Sequence, residues 1–297
     1  HNQSSESVRR RSGISPASLY PSAVSAADDA ASTVVSSPAE QVEAVEIQQI
    51  DSFERANVDI QVSTAKNFPR NLSRCKNNSI ALVTMDEETA RSCSYALPRG
   101  NKPITGPSVH LARILAQQYG NIRAESKVVE INDKQIVSRG MAWDLENNYA
   151  VCFEVRRSII GRNGRYNDDM IAVTGNAANA ISYRNAVLAV IPKGITDAAY
   201  KAAQELITGD LSDQTKLVAR RKKAIDYFLS QYGITEQEVL KLIAKNTVEQ
   251  IGHDQIAVMF GIQQSLKDGD TTVDELLKDI RSKADKVKDI LNGQSND

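Results

Sequence analysis

Tyr149-Ala150-Val151-Cys152-Phe153-Glu154-Val155-Arg156 decides the fold. Tyr149, Val151, Phe153 and Val155 point one way, and Ala150, Cys152, Glu154 and Arg156 the other, which is the two-residue period of a β-strand. One face is apolar enough to pack on a core. The other is mixed and charged, as in an antiparallel sheet with one open side. Working outward, Arg123–Ile131 and Gln135–Leu145 read as two preceding strands and Tyr149–Ile160 as the third. Asn132-Asp133 and Glu146-Asn147-Asn148 supply the turns. Upstream, Thr105-Gly106-Pro107 opens a helix with Pro107 at its first position. The apolar stripe Val109, Leu111, Ala112, Ile114, Leu115 and Tyr119 follows, and Gly120 stops it. Downstream, Gly161–Asp169 is a flexible loop, basic and then acidic. A long helix runs from Asp169 to about Val190, ended by Pro192 and Gly194. Its small residues (Ala172, Gly175, Ala177, Ala178, Ala180) allow close backbone approach. Gly106–Lys193 is therefore predicted as helix, three-stranded antiparallel meander and long helix.

The flanks give an α+β fold with three parts. Residues 1–45 read as a disordered tail, rich in Ser, Ala and Val and interrupted by Pro16, Pro21 and Pro38. Residues 46–209 read as an α+β core. Its start is ambiguous: Val58, Ile60 and Val62 alternate as in a strand, while Ile47, Ile50 and Phe53 are spaced by three. Ala65–Cys75 marks the start of order, and Asp86–Cys93 a short helix with Thr84 as N-cap. Residues 210–297 read as a small all-helical domain, joined at Gly209-Asp210. Helices are expected over Thr196–Ile207, Ser212–Tyr232 and Asp254–Leu266, the last stopped near Gly269. Thr235-x-x-Glu238 and Thr272-x-x-Glu275 are capping boxes that open two more.

The 297 residues are 41% hydrophobic, enough for a globular core, but only 5% aromatic, so packing rests on Ile, Leu, Val and Ala. No window reaches the roughly 18–20 apolar residues that span a bilayer. No secretory apolar region precedes the first charges. His1-Asn2-Gln3 is not a natural initiation. A soluble, cytoplasmic protein is the expectation. Cys75, Cys93 and Cys152 make no C-x-x-C pair, and an odd count argues against a disulfide framework. Cys152, in a strand, reads as a small buried hydrophobe. His1, His110 and His253 are isolated, with no zinc spacing.

Charge is uneven. Residues 66–193 hold 18 Lys and Arg against 11 Asp and Glu, a surplus of seven, in a chain of net charge −1. A regional basic excess points to a polyanion partner. Candidate contacts are Arg123 and Lys127 on the first strand, Arg139 on the second, and Arg156 and Arg157 on the third. Arg162 and Arg165 lie in the loop, and Arg184 and Lys193 on or after the long helix. Arginine's planar fork suits phosphate, and Trp143 and Tyr166 offer base-stacking faces. The run Arg220-Arg221-Lys222-Lys223 reads as a solvated helix face. No phosphate loop G-x-x-x-x-G-K-[ST] is present, and Gly161-x-x-Gly164 is a plain strand-to-helix loop. Asp168-Asp169 reads as a helix cap rather than a metal site. Glu130, Asp144 and Glu154 share the sheet region without a nuclease spacing.

Helix, antiparallel meander, basic loop and long helix across residues 106–193 resembles the core of single-strand annealing proteins, the RecT, Redβ and Erf groups of phage recombinases. The segment from Gly106-Pro107-Ser108-Val109 through Ala186-Val187-Leu188-Ala189-Val190-Ile191-Pro192 also looks like that of a phage-encoded protein, as does the tail pattern Ala224-Ile225-Asp226-Tyr227-Phe228, Gly233-Ile234-Thr235 and Lys267-Asp268-Gly269. The resemblance implies an ATP-independent recombinase, without cofactor or catalytic residue, that forms rings or helical filaments. It implies single-stranded DNA and annealed duplex in a basic groove between sheet and long helix. Arg123, Lys127, Arg139, Arg156, Arg157, Arg162, Arg165 and Arg184 would then contact phosphates. The helical tail would dock host single-strand-binding protein or a partner exonuclease. Such a protein would work in DNA recombination and repair in the bacterial cytoplasm, phage or prophage encoded. Glu125, Glu130 and Glu154 depart from a strongly basic sheet. The competing classes are a self-assembling structural or adaptor protein with a basic partner-binding surface, and a metal-dependent nuclease.

Overall fold

The computed structural model describes residues 38–99, 102–161, 164–208 and 214–282. The chain divides into two compact units, 1–53 and 54–297. The described part of the first unit is the start of helix α1, Pro38–Asn67. Apart from that helix, everything below concerns the second.

Helix α1 overturns one expectation and resolves one ambiguity. Residues 38–45, read as the end of a disordered tail, are helical, and Val58, Ile60 and Val62 lie on the same helix rather than a strand. Ala, Glu and Gln dominate its first half, and their helix propensity outweighs a three-residue alternation. Residues 1–37 lie outside the described residues.

Helices α2 (Leu72–Val83) and α3 (Glu87–Ser92) follow. Asn71 caps α2 by accepting the Arg74 N–H at 2.9 Å. Asp86, not Thr84, caps α3, accepting the Thr89 N–H at 2.7 Å; Thr84 instead closes α2. A hairpin that the sequence does not announce comes next, β1 (Ser94–Arg99) with β2 (Lys102–Pro107). Pro98 faces Pro103 in it, which only a two-stranded ribbon accommodates readily. Pro107 closes β2, so it is not the first residue of the next helix. Ser108 caps that helix, α4 (Val109–Tyr119), and Gly120 ends it with φ +66°.

The meander is as expected: β3 (Ile122–Ile131), β4 (Gln135–Asp144) and β5 (Tyr149–Ser158), antiparallel in the order β3-β4-β5. The register shifts between Val128 and Glu130, a bulge in β3. The loop after β5 contains a small ribbon, β6 (Ile160–Gly161) with β7 (Gly164–Arg165). Asn167 caps α5 (Asp168–Val190), with Asp168 and Asp169 in its first turn, where carboxylates favour the helix dipole.

α5 lies on one face of the sheet. Ile136, Ile159, Ile171 and Ala178 form the small core between them, with Val128, Val155 and Tyr166 packed against it. The approach is close because Gly140 has no side chain: a Cβ there would lie 2.2 Å from the Ser182 carbonyl oxygen. Buried Ser138 is satisfied across this contact by hydrogen bonds with Asn179 and Ser182 of α5.

α6 (Lys193–Thr208), α7 (Gln214–Tyr232), α8 (Glu236–Leu242), α9 (His253–Lys267) and a helix α10 over 273–282 complete the chain. Both capping boxes form. Thr235 and Glu238 bond reciprocally, as do Thr272 and Glu275 at 3.2 Å each. These helices are not set apart at 209–210 as a separate domain. The main core runs from Cys75 through Leu115, Val187 and Phe228 to Leu277. Gly261 of α9 abuts Ala96 of β1, and the Ser265 hydroxyl donates to the Ala96 carbonyl at 3.0 Å. Apolar faces of α7 and α9 need the hairpin and α6 to be buried, so one core serves both halves. No helix among the described residues is long and apolar enough to cross a membrane.

Candidate nucleic-acid interface

Strand register sorts the predicted basic residues onto two faces. On the face away from α5, cross-strand rows align Arg123 with Trp143 and Ala150, Glu125 with Met141 and Cys152, and Lys127 with Arg139 and Glu154. Beyond the bulge, Glu130, Val137 and Arg156 form the fourth row. Four of the candidate cations and Trp143 are thus brought together on one face, exposed at Lys127, Arg139 and Arg156 and closed at Val137, which is 3% exposed. Cys152, expected in a core, is exposed there; the inward positions of β5 are the odd-numbered ones. Cys75 and Cys93 are the buried cysteines, and burial pushes the Cys93 thiol up to about 12.

The charges on this face are partly paired. Arg139 grips Glu154 at 2.8 Å, and Arg156 approaches the other oxygen of Glu154 at 3.6 Å. The hydrogen bond from Arg139 holds the Glu154 carboxyl below its usual range and raises Arg139 in turn. Arg123 lies 3.7 Å from Glu125. Lys127 has no ion pair among the described residues and stands directly opposite Arg139. Like charges opposite each other in a sheet repel, and Glu154 neutralises only one of this pair. Trp143 is half-buried, opposite Arg123 in the strand register.

The remaining candidates are placed differently. Arg157 is one residue from Arg156, so it points to the opposite face. There it donates to the Asp270 carbonyl at 2.6 Å and reaches Glu275 at 3.4 Å. Arg184 is buried, 3.1 Å from the Asp270 carboxylate, with its guanidinium 4.3 Å from the centre of the Tyr95 ring. Burial pushes the Asp270 carboxyl up, and Arg184 and Arg157 oppose that. Both arginines hold the C-terminal segment to the sheet and α5; neither is free for phosphate. Tyr166 packs against the small core, its ring against Gly161. Arg165 is exposed on β7, Lys193 opens α6 in an i,i+4 pair with Asp197 at 2.6 Å, and Arg162 lies outside the described residues. The expected groove between sheet and long helix is filled by their direct packing. The exposed surface is the opposite face.

The carboxylates are not gathered either. Glu130 and Glu154 are on the open face, while Asp144 is buried on the α5 side in a bidentate pair with Arg70 at 2.6 Å. Burial alone would raise Asp144, but bonds from Arg70 and Asn147 bring it down to about 2. Arg70 also covers the Tyr119 ring at 3.8 Å and contacts Glu146 at 3.0 Å. This cluster ties α2 and α4 to the sheet. It escaped the sequence because its members are up to 76 residues apart. The run at 220–223 is not simply solvated: Arg220 donates to the Ile207 carbonyl at 2.5 Å and Arg221 to that of Ile251 at 2.6 Å. Met141 and Cys152, which sit between the charged rows, were legible only from strand parity.

No group of three or more His, Cys, Asp or Glu among the described residues is arranged to hold a metal ion. Comparison with family models, curated proteins and solved structures gives no match.

Proposed function

We propose that the chain is an ATP-independent single-stranded DNA-binding and strand-annealing protein of the phage recombination type, acting as a homo-oligomer in the bacterial cytoplasm. The observation that carries this reading is the opposition of Lys127 and Arg139 on an uncovered sheet face, beside Arg156, Arg123 and the Trp143 ring. A phosphate between like-charged strands relieves their repulsion, and an aromatic ring beside it accepts a base without regard to sequence. Annealing is downhill once bases meet. The protein needs to neutralise backbone repulsion and keep bases exposed, and repeated copies add weak sites along one strand.

The test is annealing of two complementary labelled oligonucleotides, without ATP or metal, coated or not with single-strand-binding protein. Acceleration over the spontaneous rate, lost at high salt, supports the reading. A folded protein that gives no acceleration overturns it. One observation favours a second reading, a self-assembling adaptor. Glu125, Glu130 and Glu154 share the face with its four cations, leaving it nearly neutral, as protein-binding surfaces often are. Binding of single strands that fails to strengthen with their length would favour the adaptor.

A further inference from the structure

The two edges of the sheet are unlike. β3 carries the bulge between Val128 and Glu130, whereas β5 pairs with β4 without interruption from Tyr149 to Ser158. Among the described residues no strand lies along the outer side of β5. The strand has no proline or lysine, the residues that commonly blunt an edge. Its charges are already held within the chain: Glu154 lies between Arg139 at 2.8 Å and Arg156 at 3.6 Å, and Arg157 is bound to the Asp270 carbonyl. Two large apolar side chains stand exposed on it, Tyr149 at 54% and Phe153 at 38%. A regular, exposed edge of this kind is a template for another strand.

The backbone decides how a partner docks. The Ile159 N–H donates to the Lys134 carbonyl at 3.0 Å, which sets the phase of the ladder. Odd-numbered residues of β5 turn their N–H and C=O groups toward β4. Ala150, Cys152, Glu154 and Arg156 turn theirs outward. A second β5 laid antiparallel about a twofold axis at Phe153 pairs these outward groups, Cys152 with Glu154 and Ala150 with Arg156. The odd-numbered side chains then meet in the pairs without hydrogen bonds, where side chains approach most closely. Phe153 faces Phe153 of the second copy, and Val151 faces Val155 on both sides of the axis. Other registers fit worse. A one-residue slip sets outward groups against inward ones and turns the side chains to the wrong face. A two-residue slip either puts Glu154 opposite Glu154 or carries Arg156 past the end of the partner strand.

We propose that two copies of the chain join edge to edge through β5, making one continuous sheet from the two three-stranded ones. The occupant is a second copy because the strand is complementary to itself. Apolar residues flank Phe153 symmetrically, and a twofold axis supplies the match that a foreign strand would have to carry in its own sequence. That axis is perpendicular to the sheet, so Lys127, Arg139 and Arg156 of both copies lie on the same side. The dimer extends the basic face without covering it. This names the contact for the homo-oligomer proposed above, but the edge is present whatever that face binds.

The experiment is light scattering of the full chain after size exclusion, with hydrogen exchange at the β5 amides. A mass of twice the chain's 32.5 kDa, or a multiple of that dimer, is expected, with the Glu154 amide protected. Phe153→Lys sets two like charges across the axis, and Cys152→Pro removes an outward N–H without taking a bond from the β4 ladder. Each is expected to raise the dimer dissociation constant at least tenfold and to expose the Glu154 amide, while the β4 amides keep their protection and so report an intact fold. Phe153→Cys in a Cys152→Ser background is expected to give a disulfide-linked dimer on oxidation, and Cys152→Ser alone is not. A folded chain that stays monomeric, an oligomer unmoved by both edge variants, or no cross-link at position 153 would overturn the pairing. So would a monomer whose Glu154 amide is protected, since another segment of the chain would then hold the edge. Strand annealing measured on the parent reports separately on the basic face: a dimer that does not anneal leaves the pairing standing.

Discussion

Arg156 and Arg157 are neighbours in sequence and belong to different surfaces. Arg157 reaches the Asp270 carbonyl and fastens the C-terminal helices; Arg156 projects from the open face, 63% exposed, and only approaches Glu154. The contrast extends to the whole sheet. On the α5 side, polar groups are bound to fixed partners: Ser138 to Ser182 and Asn179, Asp144 to Arg70, and Arg184 across the C-terminal segment to Asp270. On the other side, charges meet chiefly one another and solvent. A basic residue in a basic segment is thus not evidence of a ligand contact until strand parity assigns its face.

Four measurements test that division, beginning with the largest effect. Arg184→Ala leaves the buried Asp270 carboxylate without its partner, and removing one member of a buried pair costs about 3–5 kcal/mol. A large fall in urea midpoint is expected; a midpoint near that of the parent would place Arg184 among the dispensable cations. Gly140→Ala forces a methyl against the Ser182 backbone and should cost about 3 kcal/mol through displacement of α5. A neutral result would mean that sheet and helix are not in close register. Acid comes third. The Asp144 carboxyl titrates at about 2 instead of its ordinary 3.8, so the folded state favours its ionised form. Its contribution is complete above pH 3.8 and lost as pH falls toward 2, about 1–2 kcal/mol allowing for solvent screening. Urea midpoints between pH 5 and pH 2 should show that fall, and Arg70→Gln should flatten it. The smallest effect on stability belongs to Arg139→Ala with Arg156→Ala, which should leave the urea midpoint unchanged. It should nevertheless reduce the salt slope of single-strand binding, from about −3 for four phosphate contacts to about −1.4 for two. An unchanged slope would remove these arginines from the interface.

What could be read beforehand was what is local. The alternation from Tyr149 to Arg156 fixes β5, Gly120 ends α4, and the Thr235 and Thr272 boxes start their helices, because each device acts within a few residues. The β1–β2 hairpin stayed hidden because Pro98 and Pro103 argue against strands and no alternation compensates. The candidate site was half legible. Arg123, Lys127, Arg139, Trp143 and Arg156 follow from parity once the meander is accepted. Arg184 and Arg157 could not be assigned, since Asp270 lies 86 and 113 residues away. The supposed C-terminal domain failed for the same reason: an amphipathic helix shows that it needs a partner, not which one.

The bulge at Val128 and Glu130 has a bearing on assembly. Among the described residues β3 is an edge strand, with no strand paired along its outer side. An inserted residue twists such an edge and spoils it as a template for another strand. Growth of this sheet from copy to copy is therefore discouraged at β3, and the irregularity acts as a guard against uncontrolled polymerisation through that border.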